Sequence, residues 1–127
     1  MSVPHLVASV LASAALAFLP TPPPAAPRTE VRLALTRPGD HISAARSVVL
    51  RCDPPAGEHP RKEDACRELE QRRGRAEAPA KDVVCTREYA PVVADASGMW
   101  RGSPVAFHAR YANSCELSAR TGALFAF

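Results

Sequence analysis

The chain has 127 residues, of which 46% are hydrophobic and 23% charged, and its formal net charge at pH 7 is +3. A chain of this length suggests a single domain, and so small an excess of positive charge argues against a nucleic-acid-binding protein. The basic residues alternate with acidic ones in the stretch RKEDACRELEQRRGR at 61–75, which is typical of a solvated helix face rather than a phosphate-binding surface.

The first 27 residues differ from the rest because they contain no Lys, Arg, Asp or Glu. Within them, Leu6–Leu19 is a run of about 14 apolar or small residues, whereas a membrane-spanning helix needs roughly 20. We therefore predict that residues 1–27 are a secretory signal peptide with a Pro-rich spacer, cleaved after small residues such as Ala25 and Ala26. Residues 28–127 are then the functional domain of a secreted, extracellular protein.

Two strands and a helix are predicted in the first half of this domain. In Glu30–Arg37, apolar residues alternate with polar or small ones, which is typical of a half-buried strand. Ala45–Cys52 is predicted to be the second strand, which the sequence DPPAG ends. A helix follows, with Pro60 near its first turn and Gly74 at its carboxyl-terminal end. The predicted buried face of this helix consists of Ala65, Cys66 and Leu69.

The second half is predicted to be mostly strand. Residues 75–81 form a loop or a short second helix, and Val92–Ala96 is a strand followed by a hairpin turn at Ser97 and Gly98. A long alternating strand runs from Val105 to Tyr111, and an apolar strand at 123–127 closes the sheet. The whole is an α+β domain, an antiparallel sheet of about five strands with one or two helices packed on one face.

The domain contains four cysteines, Cys52, Cys66, Cys85 and Cys115. An even number of cysteines in a small exported domain predicts two disulfides. A metal site would need close pairs such as C-x2-C, which the sequence lacks, so no metal and no cofactor are expected. Four cysteines allow three connectivities, and their spacing alone does not choose among them.

The sequence offers little for catalysis. The histidines after the predicted signal are His41, His59 and His108, and no nucleophile elbow, zinc-protease motif or Gly-rich phosphate loop accompanies them. His108 is out of phase with the apolar residues of its strand, which predicts a surface position. Asp95 and Glu88 have no evident carboxylate partner. The chain is therefore not expected to be an enzyme.

The segment VVCTREYAPVV at 83–93 has apolar, strand-like flanks around a short polar centre. Pro91 fixes its own φ and favours an extended conformation in the residue before it. With a bridged Cys85 on the other side, the centre is a stiffened, exposed, extended segment that can add as a strand to the edge of a protease cleft. Arg87 is then either an anchor for a specificity pocket or an ordinary surface arginine at a strand end.

Several stretches of the chain resemble the Streptomyces subtilisin inhibitor family. CTREYAPVV is similar to that family's reactive-site loop, in which a cysteine, two residues and the scissile position precede a Tyr-x-Pro-Val pattern. The further similar stretches are LALT, VVLRC, HP followed by ACREL, SGMWRG at 97–102, YANSC at 111–115 and ALFAF at 123–127. The resemblance extends over residues 30–127.

This resemblance implies secreted, homodimeric inhibitors of serine proteases with an antiparallel sheet backed by two helices. It implies the sequential disulfide pairing, Cys52 with Cys66 and Cys85 with Cys115, which is the pairing we favour. It also implies a reactive bond between Arg87 and Glu88. The protease-binding loop implied by the motif includes Val84, Cys85, Thr86 and Tyr89, and Asn113 is expected to support it from behind together with Pro91.

An arginine before the scissile bond suits a trypsin-like pocket with a carboxylate at its base. The expected partners are therefore trypsin-like and subtilisin-like serine proteases and a second copy of the chain, with no nucleic acid and no membrane once the signal is removed. The alternative function is a non-inhibitory secreted binding module on the same scaffold, a partner of another exported enzyme such as a transglutaminase.

Overall fold

The computed structural model describes residues 1, 3–4, 14–23, 28–39, 45–79 and 82–127. Most of the predicted signal peptide, with Ala25 and Ala26, and also His41, lie outside the described residues, so the predictions about them stay predictions. Within the described ranges, no helix is long and apolar enough to cross a membrane.

The domain is built on one five-stranded sheet in which every neighbouring pair of strands is antiparallel. The strand order is β3-β2-β1-β4-β5, so β5 lies at one edge. The strands are β1 (Thr29–Thr36), β2 (Arg46–Cys52), β3 (Ala56–Gly57), β4 (Val92–Trp100) and β5 (Ser103–Tyr111). Two helices complete the fold, α1 (Lys62–Gln71) and α2 (Ser114–Thr121). The predicted fold class is confirmed.

The sheet has a buried face and an uncovered face because the strand residues alternate. In β1, Val31 and Leu33 are fully buried whereas Glu30 and Arg32 are exposed. One core cluster combines the buried strand residues with Leu69 of α1 and others from both helices. The helix residues of this cluster are Ala65, Leu69 and Leu117. Both helices therefore cover the same face of the sheet.

The predicted hairpin turn at Ser97 and Gly98 is wrong. Strand β4 continues through both residues to Trp100, and the turn is made by Arg101 and Gly102, whose φ angles are 46° and 81°. A two-residue turn with φ positive at both positions matches the twist of the flanking strands. Gly98 is needed for another reason, since a Cβ there would lie 2.2 Å from the carbonyl oxygen of Glu30 in the neighbouring strand.

The predicted strand at 123–127 is also wrong. These residues form a turn and an irregular tail after α2, and Leu124 and Phe125 are buried in the core. Side chains satisfy the tail's backbone, because Glu68 Oε2 accepts from the Ala123 amide at 2.8 Å and His59 Nε2 bonds the Leu124 carbonyl oxygen at 2.9 Å. The fifth strand is the two-residue β3.

The segment after α1 was predicted to be a loop or a short helix. Of this segment, residues 75–79 form neither helix nor strand, and residues 80 and 81 lie outside the described part of the chain. The first disulfide joins Cys52, at the end of β2, to Cys66 in α1, with their Cα atoms 5.6 Å apart. It fastens the middle of α1 to the end of β2.

Candidate functional site

The loop at residues 82–91, which precedes β4, is strongly exposed and has no regular secondary structure. Val84 is 98% exposed and Tyr89 is 73% exposed. Thr86, Arg87 and Glu88 are exposed between them. The residues that the sequence singled out are thus together on one surface segment, with the arginine in solvent.

The second disulfide ties this loop to α2. Cys85 is bonded to Cys115, the second residue of α2, with a Cα–Cα distance of 5.7 Å and a sequence separation of 30. Both disulfides thus follow the sequential pairing that the resemblance implies. The covalent link lies two residues before Arg87, so the chain entering the exposed centre has little freedom to move.

The side chain of Asn113 makes three hydrogen bonds at the junction of the loop with α2. Its side-chain amide Nδ2 donates to the carbonyl oxygen of Thr86 at 3.1 Å and to that of Glu88 at 2.9 Å. Its Oδ1 accepts from the amide of Glu116 at 3.0 Å and so caps α2. The residue is only 5% exposed. One buried side chain therefore holds the two carbonyl groups on either side of Arg87.

The far end of the loop is held by strand β5 and the residue that follows it. The amide of Ala90 donates to the carbonyl oxygen of Ala112 at 2.8 Å, which extends the β4–β5 ladder by one bond. Arg110 Nη2 donates to the Tyr89 hydroxyl at 3.1 Å. Pro91 is half-buried at the entrance to β4. The supporting contacts of the loop thus come from residues 110–115.

Behind the loop, a series of hydrogen bonds joins the segment after α1 to β5 and α2. The Tyr111 hydroxyl donates to the carboxylate of Glu77, whose other oxygen accepts from Arg120 Nη2 at 3.1 Å. The amide of Ala78 also donates to the carbonyl oxygen of Arg120, at 2.9 Å. Burial raises the pKa of Tyr111, and its hydrogen bond to Glu77 raises that pKa further.

Comparison with known proteins places this geometry in a family. The subtilisin inhibitor-like family model matches residues 27–113. The chain belongs to the subtilisin inhibitor-like family. Subtilisin inhibitor-like protein 1 of Streptomyces cacaoi is 40% identical over 89 residues, which cover 66% of this chain and 81% of that protein. Subtilisin inhibitor-like protein 3 of Streptomyces coelicolor is 42% identical over 85 residues, which cover 65% and 79%.

A protein whose structure was solved in complex with a subtilisin has the same fold. Streptomyces caespitosus sermetstatin, crystallised in complex with Bacillus licheniformis subtilisin, matches with a TM-score of 0.60 and 26% sequence identity. The match covers 79% of this chain and 99% of that chain. Family and structural neighbour together indicate a protease inhibitor of the subtilisin-inhibitor type and not an enzyme.

In this subtilisin inhibitor-like chain, the two described histidines outside the N-terminal segment have separate surroundings. His108 is on the uncovered face of the sheet, as predicted, with its side chain 72% exposed and its Nδ1 2.5 Å from Asp95 Oδ1 in the neighbouring strand. His59 is buried, with 2% of its surface exposed. Within the described residues, no three His, Cys, Asp or Glu side chains are grouped as metal ligands would be.

Sequence reasoning missed two residues of the loop support, Arg110 and Ala112. Ala112 acts through its backbone carbonyl, so its side chain carries no signal. Arg110 carried one weak signal, since it precedes the buried Tyr111 in an alternating strand and therefore belongs on the opposite side. It also missed the pairing of Asp95 with His108, which requires the β4–β5 register.

Proposed function

We propose that this chain inhibits subtilisin-like and trypsin-like serine proteases by presenting the Arg87–Glu88 bond as a substrate that is cut and released only slowly. The observation that carries the proposal is the pair of hydrogen bonds from Asn113 to the carbonyl oxygens of Thr86 and Glu88. They fix the backbone on both sides of an exposed arginine, which is what a substrate-like loop requires.

Binding would follow the pattern of an extended segment added to the edge of a cleft. Val84, Cys85 and Thr86 would pair with the protease backbone, and Arg87 would enter the primary specificity pocket. Tyr89 would contact the leaving-group side. Because the disulfide and the hydrogen bonds of the loop already restrict it, association loses less conformational entropy than binding of a flexible peptide does.

Slow turnover follows from the same restraints. The protease serine attacks the Arg87 carbonyl carbon, the bond to the Glu88 nitrogen breaks, and an ester forms while the amine takes a proton. Cys85 holds the acyl side through Cys115, and Ala90 holds the amine side through Ala112. Two reacting groups held this close have a high effective concentration, so religation competes with hydrolysis.

The side chain at position 87 would set the target range. A guanidinium suits the trypsin-type pocket, in which a carboxylate lies at the base. Sermetstatin, which shares the fold, was crystallised with a subtilisin, and this supports the subtilisin-like half of the proposal. The carboxylate of Glu88 beside the reactive bond would weaken binding to proteases whose leaving-group side is negatively charged.

We also propose that the chain is exported and forms a homodimer. Export is supported by the uncharged, apolar N-terminal segment and by two disulfides, which persist in oxidising surroundings.

The homodimer rests on the family resemblance. Light scattering of residues 28–127 tests the homodimer. We expect the mass of two chains, and the mass of a single chain at micromolar concentration would contradict the proposal.

Titration of trypsin and of subtilisin with the refolded domain tests the inhibitory function. We expect activity to fall in proportion to added protein and to stop at a fixed ratio of inhibitor to protease. Rapid cleavage after Arg87 without loss of protease activity would contradict the proposal and favour the non-inhibitory binding module.

The substitution Arg87→Gly tests the anchor. It should weaken trypsin inhibition by about two orders of magnitude or more, the effect typical of a central anchoring residue. The matched variant Arg87→Lys keeps the positive charge and should keep most of the inhibition. Unchanged trypsin inhibition by Arg87→Gly would show that the anchor is wrongly assigned.

A further inference from the structure

We propose that Arg110 is a positioning residue for the inhibitory reaction, which holds the leaving-group side of the loop through the Tyr89 hydroxyl. This inference rests on the proposed function. It starts from an asymmetry in how the two sides of the Arg87–Glu88 bond are fastened to the rest of the domain.

The acyl side of the bond has a covalent fastening. After cleavage, Arg87 would remain two residues from Cys85, which is bonded to Cys115 in α2. Thr86, between them, gives its carbonyl oxygen to Asn113 at 3.1 Å. This half of the cut loop therefore has no freedom to leave even without further contacts.

The amine side has only noncovalent fastenings before it reaches β4. The Glu88 carbonyl oxygen accepts from Asn113 at 2.9 Å, and the Ala90 amide donates to Ala112 at 2.8 Å. Tyr89 lies between these two points, and its backbone makes no hydrogen bond among those found in the described residues. Its side chain is bonded to Arg110 Nη2 at 3.1 Å. The bond to Arg110 therefore restrains Tyr89, the one residue between Glu88 and Ala90 that has no backbone hydrogen bond among the described residues.

Arg110 acts from the side opposite Asn113. Strand alternation places it away from Tyr111, which is buried on the helix-covered face, and opposite Val93 in β4. Asn113 reaches the loop from the start of α2. The chain on the amine side is thus held from both sides, and loss of Arg110 would leave Tyr89 restrained only through its neighbours Glu88 and Ala90.

The consequence concerns religation. For the Glu88 amine to attack the acyl ester, form the amide again and release the protease serine, it must stay within reach of the Arg87 carbonyl carbon. Any extra movement of residues 88 and 89 lowers the effective concentration of that amine and favours hydrolysis by water.

The test compares wild type, Arg110→Met, Tyr89→Phe and the double variant with subtilisin. The readouts are the inhibition constant and the ratio of cleaved to intact inhibitor reached with a catalytic amount of protease. Each single variant should weaken inhibition about tenfold and shift the ratio toward the cleaved form, with an unchanged melting temperature. Because both residues act through one hydrogen bond, the double variant should be no worse than either single variant.

Arg46→Ala is the matched control, because Arg46 is an exposed arginine on β2, which two strands separate from β5. It should inhibit as wild type does. If Arg110→Met inhibits as wild type does, only this inference is overturned. It is also overturned if the effect of Arg110→Met persists in the Tyr89→Phe background and shrinks with added salt, which would indicate long-range charge attraction to the protease. Failure of the wild-type protein to inhibit overturns the proposed function as well.

Discussion

At the scale of single residues, Asn113 has two separable roles. Its Oδ1 caps α2 by accepting from the Glu116 amide, and its Nδ2 supports the loop by donating to two carbonyl oxygens. Aspartate caps helices about as well as asparagine does, but it has no donor for the loop. The two roles can therefore be tested independently.

We expect Asn113→Asp to turn the inhibitor into a substrate while the domain stays folded. The new carboxylate would face the carbonyl oxygens of Thr86 and Glu88, which leaves them without a donor and repels them. Electrophoresis during incubation with subtilisin should show the loop cleaved at least tenfold faster than in wild type. The control Asn113→Ala loses the helix cap as well. Its free energy of unfolding should therefore be lower by about 1 kcal/mol, measured by denaturant unfolding. Equal cleavage rates for wild type and Asn113→Asp would contradict the role of the side chain.

Much of this residue-level picture is accessible from sequence, and part of it is not. An exposed Arg87 was predictable because a cysteine and Pro91 bracket a short polar run between apolar flanks. The role of Ala112 was not, because a backbone carbonyl leaves no trace in residue type. The role of Arg110 was not predictable either, because it depends on where the Tyr89 ring lies. That position follows from the path of the loop and not from the type of either residue.

At the scale of elements, the two disulfides have different tasks. Cys52–Cys66 joins β2 to α1, away from the loop, whereas Cys85–Cys115 joins the loop itself to α2. By loop entropy the first, which spans 14 residues, stabilises by about 3 kcal/mol and the second, which spans 30, by about 4 kcal/mol. The two disulfides thus stabilise the domain by similar amounts but lie at different positions, one of them in the loop.

Removal of each disulfide by paired Cys→Ala substitution should therefore separate stability from inhibition. Both variants should melt at lower temperature. Well below its melting temperature, the variant without Cys52–Cys66 should still titrate subtilisin, whereas the variant without Cys85–Cys115 should be cleaved in the loop. Melting curves and protease titrations at one low temperature provide the comparison. Lasting inhibition by the second variant would show that hydrogen bonds alone hold the loop.

Element boundaries show where sequence patterns are ambiguous. The ALFAF run at 123–127 reads as a strand, because a short apolar run does not distinguish a buried strand from a buried irregular tail. Helix α2 was not predicted from its residues, although Asn113 and Glu116 are spaced as in a capping box. In the structure, Glu116 Oε2 also accepts from the Ala112 amide at 3.4 Å. That signal was present in the sequence and was missed.

At the scale of the whole molecule, buried polar side chains join parts that are distant in sequence. His59 uses both ring nitrogens, accepting from the Arg61 amide at Nδ1 and bonding the Leu124 carbonyl oxygen at Nε2. Arg72 Nη1 donates to the carbonyl oxygen of Thr121 at 3.0 Å, which links α1 to the end of α2. These contacts were not predictable, because each depends on the final packing of the two helices on one sheet face.

The buried Tyr111 should make the stability of the domain fall at alkaline pH. Its pKa is raised in the folded state, so the folded protein keeps the phenol proton more tightly than the unfolded chain does. The stabilisation is fully present below the unfolded pKa of about 10 and is lost as pH rises above it. Denaturant unfolding at pH 8 and pH 11 should therefore show a larger loss for wild type than for Tyr111→Phe.

Tyr89→Phe is the control for this pH dependence, because it keeps Tyr111 and should lose as much stability as wild type does between pH 8 and pH 11. At pH 8, Tyr111→Phe should be less stable than wild type by about 1 kcal/mol, the usual net value of one hydrogen bond. Equal alkaline losses in wild type and Tyr111→Phe would show that other groups cause the effect.

The hydrogen bonds from Asn113 to the loop have a consequence for how the sequence of the loop can change in evolution. The Nδ2 of Asn113 donates to the backbone carbonyl oxygens of residues 86 and 88, and among the described residues Asn113 has no hydrogen bond to the side chain of either. The identities of the side chains at 86, 87 and 88 are thus uncoupled from the shape of the backbone that displays them. Under the proposed function, we therefore expect that a single substitution at position 87 changes the target protease without a compensating mutation elsewhere.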